Sequence, residues 1–524
     1  MKQCTVSNCM ISTLLLISDF LSVDSLGAFA FQFPGKTSPF SDNAASFGDA
    51  ELLVSDIPLV FVPGIKGSHL SFFDEDTDAG LFDARGIRSK GRRPTKRRAW
   101  LTLGGLLNIP SIPNEHRSRN LSLPLTYNSK GIQDRGHLFA DGVVEHIIQI
   151  GENKEGDSTP ALELFPFYGH VTKDLEEMNA RFKMVRDENT SQEKDEIRFG
   201  ETQSTSTCSH HCRPTAVFPY DWRRSISENS NEFHRFCEEK FPGTPVQVCG
   251  HSMGGLICYT AMRKYPGKYK PGGVFVGVPF GTGIQYLQDI HKGYYTEIQR
   301  CQQFTPKDQF SFSSHWLFFP TNQDEIESSF VDVSEDPYVQ FRAGEKDSTA
   351  KASNDKLQPA VRGEEIKMDF YDVNDWEQHK LGIFHPKHRK HLSEKTIGQF
   401  RNHLTIQFAE AKEWRKIILG NLTETELDTF PQLVLCATDT LPTVNQILRR
   451  EKKRDDTGIH VNIIGANQYD HDSGAHEYDY TSGRSVPGDG RIDFDKAFPD
   501  NVPHKKVHLS SKHSKQMCRQ AEGK

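Results

Sequence analysis

Short runs of strand-forming residues alternate with amphipathic segments along this chain of 524 residues. Runs of four to seven such residues are typical of strands buried in a sheet, and they lie at 58–63, 215–218, 245–249, 273–278, 431–437 and 506–509. Apolar residues at helical spacing separate them, at 168–182, 233–241, 256–262 and 400–418. Since strands alternate with helices, we predict an α/β fold with a mostly parallel sheet.

The same pattern suggests a division of the chain. We predict a targeting presequence at 1–50, a first part of the core at 51–280, an inserted cap or lid at 281–430 and the C-terminal part of the core at 431–524. The cap is predicted from its mixed, aromatic and loop-rich sequence. Polar tracts at 343–366 and 449–485 are interpreted as a disordered loop and an insertion.

The N-terminal residues are typical of a targeting signal rather than of a fold. An apolar stretch at 10–17 follows Lys2, and Ala28-Phe-Ala30 is typical of a signal-peptide cleavage site. We therefore expect entry into the secretory pathway. The segment after Ala30 is rich in Phe, Ser and Pro and lacks acids, so a two-part plastid presequence is the alternative.

Charge and composition exclude some classes of function. The formal net charge is −7 and the sequence pI is about 6.3, which argues against nucleic acid as a main partner. The chain contains no internal run of about 20 apolar residues, so no membrane-spanning segment is predicted there. The 35 phenylalanines fit either core packing or an apolar site for acyl chains.

The stretch Val248-Cys-Gly-His-Ser-Met-Gly-Gly-Leu256 carries the strongest chemical signal. It has the form G-x-S-x-G between a buried strand and a helix, which is typical of the nucleophile elbow of an α/β hydrolase. Gly250 and Gly254 lack Cβ atoms, so strand and helix can approach closely there. We therefore predict that Ser252 is a nucleophile.

A serine nucleophile needs a base and an acid that orients the base. In this fold they follow the serine in the order acid, then histidine. For the base we favour His513, in a loop, over His508, which lies within a strand, and His504. For the acid we favour Asp489, in the turn Gly488-Asp-Gly490, over Asp439, which follows the strand 431–437.

The oxyanion of the tetrahedral intermediate needs two N–H donors. One is predicted to be the backbone of Met253, after the nucleophile, and the other to come from the turn Pro63-Gly-Ile-Lys-Gly67. We favour the backbone N–H of Lys66, with Ile65 as the alternative. If only the backbone acts, substitution of the side chain there should have little effect.

Four motifs together resemble the lecithin:cholesterol acyltransferase family, which also contains phospholipid:diacylglycerol acyltransferases and phospholipases. They are Val60-Phe-Val-Pro-Gly-Ile-Lys-Gly-Ser68, Pro219-Tyr-Asp-Trp-Arg223, Gly250-His-Ser-Met-Gly254 and Gly277-Val-Pro-Phe-Gly281. Weaker matches are Trp316-Leu-Phe-Phe-Pro320, Leu441-Pro-Thr443 and Gly488-Asp-Gly490. The resemblance covers most of residues 55–520, with gaps at 70–160 and 340–375.

The resemblance implies an α/β hydrolase core with a mobile lid and a triad of Ser252, Asp489 and His513. It also implies acyl transfer from a glycerolipid through an acyl-serine, without a cofactor. We further expect no metal and peripheral contact with a membrane surface. In the motif at 219–223, Tyr220, Asp221, Trp222 and Arg223 either shape the loop beside the site or contact the lipid headgroup. The chain departs from the family after Gly490, where Arg491-Ile492 replaces the usual Thr-Val.

Other functions stay open on sequence grounds. A phospholipase or lipase would use the same acyl-enzyme with water as acceptor. A non-catalytic lipid-binding protein on the same scaffold is a second alternative. A metal-dependent site at 470–472 and His476-Glu477 is a third.

Overall fold

The computed structural model describes residues 53–74, 95–100, 121–151, 161–190, 211–295, 302–321, 330–333, 361–451, 476–499 and 501–510. The predicted presequence, residues 343–360 of the polar tract at 343–366, residues 452–475 and His513 lie outside these ranges.

Strands occur along the whole described chain. They are β1 Leu53–Val54, β2 Leu59–Val62, β3 Ser68–Asp74, β4 Thr95–Arg98, β5 Phe139–Val143, β6 His146–Gly151, β7 Ala161–Pro166, β8 His211–Cys212, β9 Thr215–Val217, β10 Gln247–His251, β11 Gly273–Val276, β12 Tyr294–Tyr295, β13 Gln302–Phe304, β14 Phe330–Asp332, β15 Glu364–Glu365, β16 Leu433–Thr438, β17 Leu441–Val444, β18 Ile447–Glu451, β19 His476–Asp479, β20 Ser485–Gly488 and β21 His504–Leu509.

Helices separate many of these strands. They are α1 Gly169–Thr190, α2 Ile226–Lys240, α3 Met253–Lys264, α4 Leu287–Lys292, α5 Pro306–Ser311, α6 Val373–Gln378, α7 Pro386–Arg389, α8 Glu394–Ile418 and α9 Glu424–Thr429. Short 3-10 helices lie at Pro266–Tyr269, Ser313–Phe318, Gly382–Phe384 and Phe494–Ala497. None of the helices within the described ranges is long and apolar enough to cross a membrane.

Six strands form one parallel sheet, in the order β21-β16-β11-β10-β2-β9. The four inner strands are buried along their whole length, as their apolar sequences predict. Helices cover the sheet, and the arrangement is that of an α/β hydrolase core. The predicted fold class is confirmed.

The two faces of the sheet pack against different helices. On one face, Val60, Val248 and Phe275 share an apolar cluster with residues of α2 and α3. On the other face, Phe61 and Val276 pack with the apolar side of α1. The side of α1 that the helical spacing predicts, with Val171, Leu175, Met178 and Phe182, is buried.

Helix α3 contacts residues 281–430 directly. Met253 to Met262 are all buried. The indole N–H of Trp414, on α8, donates to the hydroxyl of Thr260 on α3 at 3.1 Å. The Arg263 guanidinium donates to the carbonyl oxygen of Ile418 at 2.8 Å.

Residues 281–430, the predicted cap, contribute helices α4–α9 and the short strands β12–β15 but no strand of the six-stranded sheet. Their interior is aromatic. Trp376 is fully buried and packs edge-to-face against Phe310 and Trp316, at ring-centroid distances of 5.6 and 5.4 Å. The abundant phenylalanines of this region therefore include true core residues.

Besides containing short elements that the sequence did not predict, the structure differs from the predicted elements at the following positions. Helix α2 begins at Ile226 rather than 233, because the Ser225 side chain accepts the N–H of Glu228 and caps the helix. Helix α8 begins at Glu394 rather than 400 for the same reason, with Ser393 as its cap. The ends of the tract 449–485, for which no strand was predicted, form β18 and β19, which pair antiparallel in a four-stranded sheet, β15-β14-β18-β19.

Candidate active site

Ser252 lies between the end of β10 and the start of α3, with φ 51° and ψ −127°. This positive φ is costly for a residue with a side chain and is typical of a strained functional turn. The backbone N–H of Ser252 donates to the carbonyl oxygen of Val276 at 2.9 Å, which ties the turn to the neighbouring strand. The local geometry is that of a nucleophile elbow.

The turn after β2 lies directly against the elbow. A Cβ atom on Gly64 would lie 3.0 Å from both the Ser252 Cβ and the His251 Nδ1. The turn closes with the Gly67 N–H donating to the Gly64 carbonyl oxygen at 3.0 Å, and Lys66 has φ 63°. A non-glycine residue in this conformation is a second strained position beside the serine.

The two predicted oxyanion donors belong to these two turns. Met253 is the first residue of α3, so its N–H has no acceptor within the helix, and the helix dipole favours negative charge there. Lys66 and its alternative Ile65 are the central residues of the turn that follows β2. Both donors stay predictions, but each lies on an element next to Ser252.

Tyr168, for which the sequence carries no motif, links the two turns. Its hydroxyl accepts the N–H of Gly64 at 2.8 Å and lies 2.7 Å from the Nδ1 of His251. The side chain is 1% exposed. Tyr168 therefore bridges the turn after β2 and the residue that precedes the nucleophile.

The motif at 219–223 braces the same turn from its other side. The Tyr220 hydroxyl donates to the Pro63 carbonyl oxygen at 3.0 Å, and the Trp222 indole N–H donates to the Ser68 carbonyl oxygen at 3.2 Å. Tyr220 and Trp222 thus contact both ends of the turn.

The charged pair of this motif faces the protein interior. Arg223 binds the Asp221 carboxylate through its Nε at 2.8 Å and Nη2 at 2.6 Å, and its Nη1 donates to the Leu121 carbonyl oxygen at 2.8 Å. Arg223 is 1% exposed. These contacts favour the loop-shaping role over direct contact with a lipid headgroup.

Asp489 lies in a tight turn after β20 and is 4% exposed. Its Oδ1 accepts the backbone N–H groups of Arg491 at 2.9 Å and Ile492 at 2.7 Å. The Thr443 hydroxyl accepts the Gly490 N–H at 2.9 Å. The Leu441-Pro-Thr443 motif therefore supports the turn that carries the favoured acid, a role that its sequence did not indicate.

The alternative acid and base lie beside each other at the edge of the sheet. The Nδ1 of His508, on β21, is 3.6 Å from the Oδ2 of Asp439, and their side chains are 60% and 44% exposed. The Nδ1 of His504 lies at hydrogen-bond distance, 2.8 Å, from the carbonyl oxygen of Val502. The favoured base, His513, lies outside the described residues, so the complete triad stays a prediction.

Two further ionisable groups near the predicted turns have shifted pKa values. Burial lowers the pKa of Lys66 to about 8, against the opposing effect of Asp289. Burial raises the pKa of Asp493 to about 7, and the nearby Asp489 adds to this rise. Gln285 donates its amide N–H to the Oδ1 of Asp493 at 2.8 Å.

A metal centre finds no support in the described parts of the chain, where no three His, Cys, Asp or Glu side chains are grouped to hold an ion. Of the residues considered for such a site, 470–472 lie outside the described ranges. Glu477 is paired with Arg450 at 2.8 Å.

Comparison with known proteins finds a family model that matches part of this chain. The family model described as lecithin:cholesterol acyltransferase matches residues 213–467, which include the motif at 219–223 and Ser252 but not Lys66, Asp489 or His513. The resemblance inferred from the motifs is confirmed, and the match indicates acyltransferase- or phospholipase-type activity on lipids.

The comparisons with individual proteins are less close. No curated protein matches the chain. Nine chains of solved structures match. One of them, from the crystal structure of the Tle4-Tli4 complex, has 12% identity and a TM-score of 0.49, and the alignment covers 89% of this chain and 96% of that chain.

The bridging role of Tyr168 can be tested with Tyr168→Phe. The substitution leaves the buried Gly64 N–H without its acceptor and removes the contact with His251, at a cost of about 1–3 kcal/mol per group. We expect the rate of Ser252 labelling by a fluorophosphonate to fall about tenfold or more. The matched control is Tyr371→Phe, which removes a buried hydroxyl that donates to the Phe319 carbonyl oxygen in the predicted cap. Equal labelling rates in both variants would contradict the bridging role.

Proposed function

We propose that this chain is a serine-dependent O-acyltransferase of glycerolipids, because residues 213–467 match the lecithin:cholesterol acyltransferase family model. It would move an acyl group from a phospholipid donor to a lipid hydroxyl. The observation that carries the proposal is the strained Ser252 directly beside the turn at 63–67.

In the proposed reaction the Ser252 hydroxyl oxygen attacks the carbonyl carbon of the donor ester, and His513 takes the hydroxyl proton. Asp489 orients the imidazole and stabilises its positive charge. The ester C–O bond breaks, and the leaving alcohol receives the proton from His513. The acceptor hydroxyl oxygen then attacks the acyl carbon and gives its proton to His513. The bond between the acyl carbon and the Ser252 Oγ breaks, and His513 returns the proton to Oγ.

The oxyanion formed in both steps would be stabilised by the backbone N–H groups of Met253 and Lys66. Donors of this kind act strongly because their positions are fixed before the charge develops, and one donor is worth about 10²–10³ in rate. The hydrogen bonds that Tyr168, Tyr220 and Trp222 make to or beside the turn support such preorganisation.

Peripheral contact with an anionic membrane surface is part of the proposal. Strands β4-β3-β5 form a small antiparallel sheet directly after the turn at 63–67. Phe73 is 50% exposed, stacks on Phe139 and pairs with Lys96 in the ladder. Residues 85–98 contain eight lysines and arginines and no acid, in a chain with a net charge of −7. Exposed aromatic and basic residues together suit a lipid interface.

Only the predicted presequence bears on the cellular compartment in which the acyl transfer would occur. Entry into the secretory pathway, with a plastid as the alternative, stays a prediction.

The nucleophile is tested with Ser252→Ala in the full chain. We expect intact-mass spectrometry after fluorophosphonate treatment to show one adduct on the wild type and none on the variant. With a phospholipid carrying a labelled acyl chain, turnover should fall by a factor on the order of 10⁶. Addition of a lipid alcohol should divert the label from free fatty acid into a new ester in the wild type.

The control for this experiment is Ser230→Ala, which removes another buried serine hydroxyl, one that donates to the Ser227 carbonyl oxygen on α2. It should retain the adduct. Free fatty acid as the only product, with every acceptor, would replace the transferase by the phospholipase. A folded wild type that gives neither adduct nor turnover would favour the lipid-binding alternative.

The acid is tested with the matched pair Asp489→Asn and Asp439→Asn. Asp489 is buried, whereas the Asp439 side chain is 44% exposed. We expect kcat to fall by about 10⁴-fold in Asp489→Asn, because the histidine loses its orienting partner, and to stay near the wild-type value in Asp439→Asn. The opposite result would assign the acid to Asp439.

The membrane contact is tested by co-sedimentation with vesicles of phosphatidylcholine and phosphatidylserine. Phe73→Ser with Arg98→Gln should weaken binding about tenfold, because both an apolar and a charged contact are lost. Ile417→Ser, which removes another exposed apolar side chain, should bind as the wild type does. Unchanged binding in the double variant would exclude this sheet as the docking surface.

A further inference from the structure

The side chain of Lys66 is enclosed, although the proposed function uses only its backbone. Its Nζ lies 3.6 Å from the Oδ2 of Asp289 and 3.4 Å from the centroid of the Tyr294 ring. The rings of Phe304 and Tyr286 follow at 5.5 and 5.7 Å. The side chain is 12% exposed. The sequence suggested that this side chain is dispensable. A dispensable side chain would not be enclosed by a carboxylate and three aromatic rings.

Asp289 also reaches the turn that carries the proposed acid. It lies on α4 and is 8% exposed. The same Oδ2 that faces Lys66 is 3.7 Å from the Nη1 of Arg491, two residues after Asp489. Arg491 stands where the family commonly has threonine. One carboxylate oxygen thus lies between two cations. Lys66 comes from the turn at 63–67, called the oxyanion turn below, and Arg491 from the turn around Asp489 at 488–492, called the acid turn.

We propose that Lys66 and Arg491 are positioning residues: their shared contact with Asp289 holds the oxyanion turn and the acid turn together, and the loss of the Lys66 charge sets the alkaline limit of acyl transfer. The inference rests on the proposed function, because it concerns the geometry of that site.

The charge of Lys66 is labile in this environment. Burial lowers its pKa to about 8; Asp289 opposes the shift and Arg491 adds to it. The other ionisable groups around it are the phenols of Tyr286 and Tyr294, and His315. Burial holds the pKa of His315 well below its usual range and that of Tyr286 well above it.

Deprotonation removes both the ion pair with Asp289 and the cation–π contact with Tyr294. The strained turn at Lys66 then loses the contacts that its side chain makes. We expect kcat/KM to fall about tenfold as Lys66 loses its proton, which corresponds to about 1.4 kcal/mol.

Unfolding would not explain such a fall. The pKa of Lys66 is lower in the folded protein than its ordinary value of 10.5. Between pH 8 and 10.5 the unfolded chain therefore binds more protons at this residue, so its titration raises stability with rising pH. Activity and stability are thus expected to change in opposite directions through the titration of this group.

The test is the pH profile of kcat/KM, from pH 6 to 10, for hydrolysis of a soluble p-nitrophenyl ester by the full chain. Asp289→Asn removes the group that raises the pKa of Lys66, so the alkaline limb should move to lower pH. Arg491→Thr removes a cation that lowers it, so the limb should move to higher pH. Each shift should be about one pH unit. Lys66→Met should lower the rate and abolish this limb.

The matched control is Lys268→Met. Lys268 is also a largely buried lysine, 3.1 Å from the Glu238 carboxylate, and it lies after α3, away from both turns. Its variant should keep the wild-type profile. Thermal unfolding and fluorophosphonate labelling at pH 7 identify any variant that has not folded.

The outcomes separate this inference from the proposed function. Opposite shifts in Asp289→Asn and Arg491→Thr support it, because a purely structural role would not move the limb in two directions. A wild type without an alkaline limb, or variants whose limbs stay in place or move together, would overturn it while Ser252 is still labelled. Absence of both labelling and hydrolysis in the folded wild type would instead overturn the proposed function.

Discussion

The close approach of helix α3 to strand β2 is the contact on which the candidate site depends. A Cβ atom on Gly254 would clash with the carbonyl oxygens of Val62 and Pro63. Glycine at this position therefore lets the start of α3 lie against the end of β2. Because of that approach, the elbow at Ser252 and the turn at 63–67 become neighbours, and the proposed nucleophile and oxyanion donors come from one compact region.

Rigid aromatic side chains then fix the turn after β2. Tyr168 binds the Gly64 N–H, Trp100 donates its indole N–H to the Lys66 carbonyl oxygen at 2.9 Å, and Tyr220 and Trp222 bind at the two ends. Trp100 also packs against Trp222. A turn held by hydrogen bonds from packed aromatic rings keeps its backbone conformation without substrate, which is the requirement for electrostatic stabilisation of a transition state.

Charge connects this rigid region to the rest of the chain. Asp289, from the region predicted as a cap, lies between Lys66 and Arg491, which belong to the first and last parts of the predicted core. The three residues are far apart in sequence and meet only because the six-stranded sheet brings the ends of β2 and the loops after β16 to one side. Lys66 and Asp289 are mostly buried, so each charge would be costly without the other, whereas the Arg491 side chain is 48% exposed and meets Asp289 from the solvent side.

The sequence by itself determined the six strands of the parallel sheet, the four long helices α1, α2, α3 and α8, and the elbow. These follow from local rules: burial of apolar runs, helical spacing and glycine at close contacts. The helix starts at Ile226 and Glu394 were also readable, through the capping serines at 225 and 393. Only the tertiary structure decided the roles of Tyr168, Thr443 and Asp289. Tyr168 binds partners 83 and 104 positions away in the chain, and no local pattern encodes which distant groups a buried hydroxyl or carboxylate will meet. Such pairings are set by how the layers pack.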